Sequence, residues 1–193
     1  VMTIQGVSTL KTNIYLTGKV YDHFNGRNWT AETEPYPNER MLDSLETLYA
    51  VRMYDGNRDD FVSETRATVR YRYFQSSYLF APSKTIALYS DKDYSQNTDI
   101  RFHRKQGYGT RYELSYLQMN LDQPDFYTYM EQKPPVDKKV WEDLTVRYIT
   151  DREDRPSWED MQTYRNMIYD NYTGDLILSD KTRAFVDQLT VGE

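Results

Sequence analysis

Residues 61–73, FVSETRATVRYRY, alternate with a period of two. Phe61, Ser63, Thr65, Ala67, Val69, Tyr71 and Tyr73 fall on one side, and Val62, Glu64, Arg66, Thr68, Arg70 and Arg72 on the other. Successive strand side chains point to opposite faces, so the stretch reads as a half-buried strand with a charged face toward water. Runs of the same kind occupy residues 78–81, 85–89, 100–104 and 111–119, separated by Pro82-Ser83-Lys84, a polar loop over 90–99, and Gly107-Tyr108-Gly109. Short alternating runs with turn residues between them predict an antiparallel sheet or sandwich.

On the N-terminal side, residues 14–29, IYLTGKVYDHFNGRNW, place Ile14, Leu16, Gly18 and Val20 on one side of an alternating run. Asn25-Gly26 offers the positive φ of a two-residue hairpin turn, which predicts a hairpin returning through Trp29. Residues 39–52 break the alternation: Met41, Leu45, Leu48 and Arg52, with Leu42 and Tyr49 beside them, form a helical stripe. After Pro134 the period becomes 3.6 throughout. Helices are expected near 135–150, with Pro135 in the first turn, near 157–173, with Met161, Tyr164, Ile168 and Tyr172 on one face, and near 180–191, with Ser179 as N-cap. The predicted class is α+β: an antiparallel β domain over residues 1–120, then a helical segment over 121–193.

The chain has no cysteine, so thiolate nucleophiles, disulfides and thiolate metal sites are excluded within it. Its net charge is −6, with 13 acidic and 8 basic residues after position 133 and no basic stripe. That balance argues against nucleic acid and anionic membrane surfaces, both of which need clustered Lys and Arg. No run approaches the roughly 20 apolar residues of a spanning helix. The 19 tyrosines replace aliphatic volume with amphipathic rings. The chain opens on Val1 and closes just after a helical stripe, which reads as a piece of a longer protein.

Tyr15, Leu16, Gly18, Tyr21, Asp22, Phe24, Gly26 and Trp29 stand at the spacing Y-L-x-G-x-x-Y-D-x-F-x-G-x-x-W. This pattern resembles a signature in the extracytoplasmic segment of bacterial transglutaminase-like membrane proteins, a superfamily of proposed cysteine proteases. Leu79-Phe80-Ala81-Pro82 resembles a recurring strand end of that family. Tyr169, Tyr172, Thr173, Leu178, Ser179, Phe185, Leu189 and Thr190 resemble the segment that leads into its catalytic core. The resemblance implies a membrane-anchored parent, an extracytoplasmic location, and a cysteine-dependent core beyond these residues as intramolecular partner. The family's triad needs a cysteine, so no catalytic residue carries over to this chain. The signature residues Tyr15, Leu16, Gly18, Tyr21, Asp22, Gly26 and Trp29 are expected to be structural.

Other constellations read as ordinary surface. His23 lies beside the Asn-Gly turn and His103 in the strand RFHRK among cations, which suits solvated positions better than catalytic ones. Asp91, Asp93, Ser95 and Asn97 alternate like the first ligands of a calcium loop, but Gln96 stands where Gly is wanted and Phe102 where a bidentate Glu is required. Asp59-Asp60 and Glu159-Asp160 are adjacent carboxylates that do not face each other across a cleft. No metal or cofactor is expected. The expected role is a non-catalytic accessory domain that positions the core or contacts its protein or cell-wall substrate. The alternative is a carbohydrate- or cell-wall-binding β module, with Trp29, Tyr36, Tyr71 and Tyr73, and further along the sheet Tyr112 and Tyr116, as candidate contact rings.

Overall fold

The computed structural model describes residues 2–7, 14–21, 23–31, 36–55, 60–95, 100–132, 137–172 and 179–190. Its main sheet is antiparallel and four-stranded, in the order β1 (Met2–Val7), β4 (Val62–Tyr71), β9 (Arg111–Met119) and β6 (Thr85–Ser90). On β4, Thr65, Ala67, Val69 and Tyr71 are buried while Glu64, Arg66 and Arg70 are exposed, the alternation that the sequence presents. Register carries the apolar face across the sheet, with Ala67 opposite both Gly6 and Leu114, and Val69 opposite Ile4 and Tyr112. A Cβ on Gly6 would stand 2.7 Å from the Arg66 carbonyl oxygen, so glycine lets β1 lie close against β4.

A second sheet has the order β5 (Ser76–Tyr78), β8 (Arg101–Gln106) and β7 (Tyr94–Ser95). Leu79 and Phe102 join Val69, Tyr71, Tyr112 and Leu114 in one buried cluster, so the core lies between two β layers. Two tyrosines of the main sheet tie the layers together by hydrogen bonds. The Tyr112 hydroxyl accepts from the Phe80 N–H at 2.9 Å and donates to the Phe80 carbonyl at 2.8 Å, and the Tyr71 hydroxyl donates to the Tyr78 carbonyl. Buried phenols thus meet buried backbone groups that would otherwise be left without partners. Strand β7 falls in the stretch that reads as a polar loop; its Tyr94 hydroxyl donates to the Leu88 carbonyl at 2.7 Å.

Helix α1 (Glu39–Asp55) packs against α3 (Lys138–Tyr148) and β6. It buries Leu42, Leu45, Tyr49 and Val51. Arg52 is exposed in its last turn, where a cation complements the helix dipole rather than extending the stripe. The Lys84 ammonium meets the Asp43 carboxylate at 2.8 Å, fastening the start of β6 to α1. Helix α2 (Phe126–Glu131), which the sequence does not announce, brings Phe126 and Tyr129 against Phe61, Val62 and Leu117. The Phe61 and Tyr129 rings stack at 5.2 Å. Helix α3 is capped by Asp137, whose carboxylate accepts from the Lys139 and Val140 N–H groups. The expected first turn at Pro135 lies outside the described residues.

The chain divides into two compact units, Val1–Trp158 and Glu159–Glu193. The division falls inside the stretch that the sequence presents as one helical segment, because α2 packs its rings on Phe61 and Leu117 and α3 packs on α1. The second unit holds α4 (Trp158–Tyr172), apart from its first residue, and α5 (Asp180–Thr190). Met161 and Tyr164 are buried in α4, and the Ser179 hydroxyl caps α5 by accepting from the Thr182 N–H at 3.2 Å. Thr173 and Leu178 of the C-terminal pattern lie outside the described residues. Among the described residues no helix is long and apolar enough to cross a membrane.

Candidate functional site

The signature segment departs from the expected hairpin. Residues 14–21 form no strand; Thr17 alone pairs with Ala81, exchanging N–H to carbonyl bonds of 2.8 and 3.1 Å. Pairing is confined to β2 (His23–Phe24) and β3 (Trp29–Thr30). The loop between them has four residues rather than two. Gly26 takes φ +88°, and the Asn25 carboxamide oxygen accepts from the N–H groups of Arg27 at 3.0 Å and Asn28 at 2.8 Å. The asparagine therefore closes the loop with its side chain, leaving the positive φ to glycine.

Two of the quoted sequence patterns meet here. A Cβ on Gly18 would lie 2.6 Å from a carbon of the Phe80 ring, directly beside the Thr17–Ala81 pairing. Gly18 and Leu79-Phe80-Ala81-Pro82 are thus two sides of one contact, and the glycine is required by the ring against it. Gly18→Ala is expected to destabilise the fold by about 1–3 kcal/mol, the usual cost of overpacking, measured by urea denaturation.

The rings of the segment face outward. Tyr15 is 79 % exposed, Trp29 60 % and Phe24 50 %, and Val20 and Tyr21 are exposed beside them in sequence. Residues 15–29 hold five of the fourteen large apolar side chains exposed among the described residues. Phe24 and Trp29 sit across β2 and β3 with ring centroids 5.2 Å apart, and the Lys19 ammonium lies 4.8 Å from the Tyr21 ring centre. Leu16 is half-buried, and Asp22 lies outside the described residues.

The other candidate contact rings separate. Tyr73 is 81 % exposed just past β4, and Tyr36 is half-buried before α1, its carbonyl accepting from the Glu39 N–H. Tyr71 is fully buried and contacts no solvent, which corrects its expected place among the ligand-facing aromatics. Tyr112 and Tyr116 are buried as well. Parity explains all three, since each points to the face that carries Ala67, Val69 and Leu114.

His23 and His103 are exposed on β2 and β8, as the sequence suggests. The calcium-like loop runs partly outside the described residues, as does Asp59; Asp60, Glu159 and Asp160 are exposed. Among the described residues no group of three His, Asp or Glu side chains could hold a metal ion. Burial pushes the phenols of Tyr71 and Tyr129 up to about 12 and raises those of Tyr112 and Tyr116. The Glu39 carboxyl is raised by burial and by Asp43, against the lowering effect of Arg40. A phenol held protonated by a dry core braces the fold and offers no base to a substrate.

An open groove of about 670 Å³ lies on the solvent face of the main sheet, lined chiefly by β4, β9 and β6 with Tyr148 from α3. Sequence reading finds its Glu64 and Arg66 as outward residues of one strand. Joining them to Tyr89 and Glu113 requires the pairing register, which has no local sequence signal. The chain matches no family model, no curated protein and no solved structure.

Proposed function

We propose that this chain is a non-catalytic accessory domain of a membrane-anchored, transglutaminase-like protein, standing outside the cytoplasm and positioning a cysteine-dependent core or contacting its substrate. The observation that supports it is the cluster of exposed rings on the short hairpin, above all the Phe24–Trp29 pair. Exposed aromatic rings concentrated on one loop-tipped element are costly to leave in water and are the residue type that dominates protein contacts. The absence of cysteine means that acyl-transfer chemistry of the resembled family must come from another part of the polypeptide.

The test is a Phe24→Ala, Trp29→Ala double variant, examined alone and in the parent polypeptide. Both side chains are largely exposed, so thermal stability stays within about 0.5 kcal/mol of the starting protein. Association with the separately expressed core or its protein substrate falls at least about tenfold, as for loss of a central contact. Unchanged association, with unchanged turnover of the parent's macromolecular substrate, would remove the proposal. A carbohydrate module acting through these same rings would instead give a saturable Trp29 fluorescence change with cell-wall glycans.

A further inference from the structure

We infer that the groove on the open face of the main sheet is a binding site for a short neutral glycan, separate from the aromatic hairpin and independent of it. Two rungs of the sheet form its floor. One runs Gln5, Thr68, Glu113 and Tyr89 across β1, β4, β9 and β6; the next runs Arg66, Ser115 and Ala87. Each of these seven residues lines the groove. The groove, about 670 Å³, is wide and open to solvent, which suits a shallowly seated, extended ligand.

The chemistry of the lining selects the ligand. Within two rungs the groove offers a guanidinium, a carboxylate, a carboxamide and three hydroxyls, those of Thr68, Ser115 and Tyr89, suited to pairs of sugar hydroxyls. The lining carries both signs: Glu64 stands two residues from Arg66 on the same face, and Glu113 is paired with Arg111 from the next rung of β9. A strongly anionic or cationic ligand would find no net complement here. Tyr89, 67 % exposed, presents a ring at the β6 side, while Tyr148 borders the groove from the last turn of α3 with its ring packed on the second core cluster and the Arg147 guanidinium 5.7 Å from its centre. A polar floor with one exposed ring at its side matches a pyranose, whose edge carries hydroxyls and whose face carries C–H groups.

The site binds without cleaving. Glu64 lies opposite Leu117 and Glu113 opposite Thr68, which sets the backbone positions of the two glutamates four residues apart along the strands, about 13 Å at strand rise. Glycosidase pairs stand roughly 5–9.5 Å apart, with the scissile bond between them.

The experiment is a titration of the 193-residue chain with N-acetylglucosamine, glucose and maltose-series trisaccharides, followed by amide chemical shifts. The expected result is saturable binding of at least one probe, with shifts concentrated on β4 and β9. Arg66→Ala and Tyr89→Ala, both at exposed positions, each weaken it about tenfold or more, while Trp29→Ala leaves it unchanged. Circular dichroism verifies that the variants keep their fold. Three outcomes overturn the inference: no saturable binding by any probe, shifts confined to the hairpin, or binding that both groove variants leave intact. A groove that fails this test leaves the hairpin proposal standing, and the reverse also holds.

Discussion

Tyr71→Ala is expected to lower stability by about 3–5 kcal/mol, the range for removing a large buried ring from a packed core. The ring sits in a cage of aromatics, with centroids 4.5 Å from Phe74, 6.0 Å from Tyr112, 6.3 Å from Phe102 and 6.4 Å from Phe80. These neighbours come from both β layers and cannot all collapse into the space left behind. Tyr71→Phe keeps the ring and removes the hydroxyl's bond to the Tyr78 carbonyl and its contact with the Tyr112 hydroxyl, so its cost is about 1–3 kcal/mol, below that of Tyr71→Ala. Tyr73→Ala, two residues on and 81 % exposed, is expected to shift stability by about 0.5 kcal/mol or less. Urea denaturation with an unchanged slope separates the three. A Tyr71→Ala midpoint no lower than that of Tyr73→Ala would contradict the assignment of Tyr71 to the core.

Alkaline unfolding is the second large effect. Burial raises the Tyr71 phenol to about 12, and burial with the nearby Glu46 charge raises Tyr129 to about 12, from an ordinary value of 10.0. Burial, then the neighbouring Tyr71, raises Tyr112 further. A raised phenol holds its proton in the folded state after the unfolded chain has released it. Stability is therefore complete below pH 10 and is lost as pH climbs from 10 to about 12. Each phenol removes about 1.4 kcal/mol per pH unit across that window. Tyr71 and Tyr129 lose stability in the same direction over the same window, so their effects reinforce each other. The part of the phenolate absorbance that comes from the buried rings is expected to rise in step with loss of near-ultraviolet circular dichroism, after the exposed tyrosines have ionised, and Tyr71→Phe to flatten the pH dependence. Release of every phenolic proton while the tertiary signal persists would show these rings to be solvent-accessible.

What the sequence makes legible follows from how local each cause is. Alternation over residues 61–73 marks the inner and outer faces of β4, because strand parity needs no partner. The same parity places Tyr71 with Ala67 and Val69, yet the phenol hides it: a ring with a polar tip suits a wet surface or a core that supplies a carbonyl, and the choice depends on Tyr78 in another layer. Alternation over residues 14–20 misleads for the opposite reason. No neighbouring strand pairs with it beyond Thr17, and Gly18 answers to the Phe80 ring rather than to a pleat. Helix α2 is six residues long, too short to display a period. The groove depends on registers that join positions 5, 68, 113 and 89, distances in sequence over which no local pattern operates.

The Thr17–Ala81 rung stands alone, with no adjoining rungs to share its opening. Its amide hydrogens therefore exchange with solvent through local release, well ahead of those in the middle of β4, whose exchange waits on global unfolding. That rung, with Gly18 against the Phe80 ring and Ile14 against the core, is the seam by which residues 14–21 hold to the β layers.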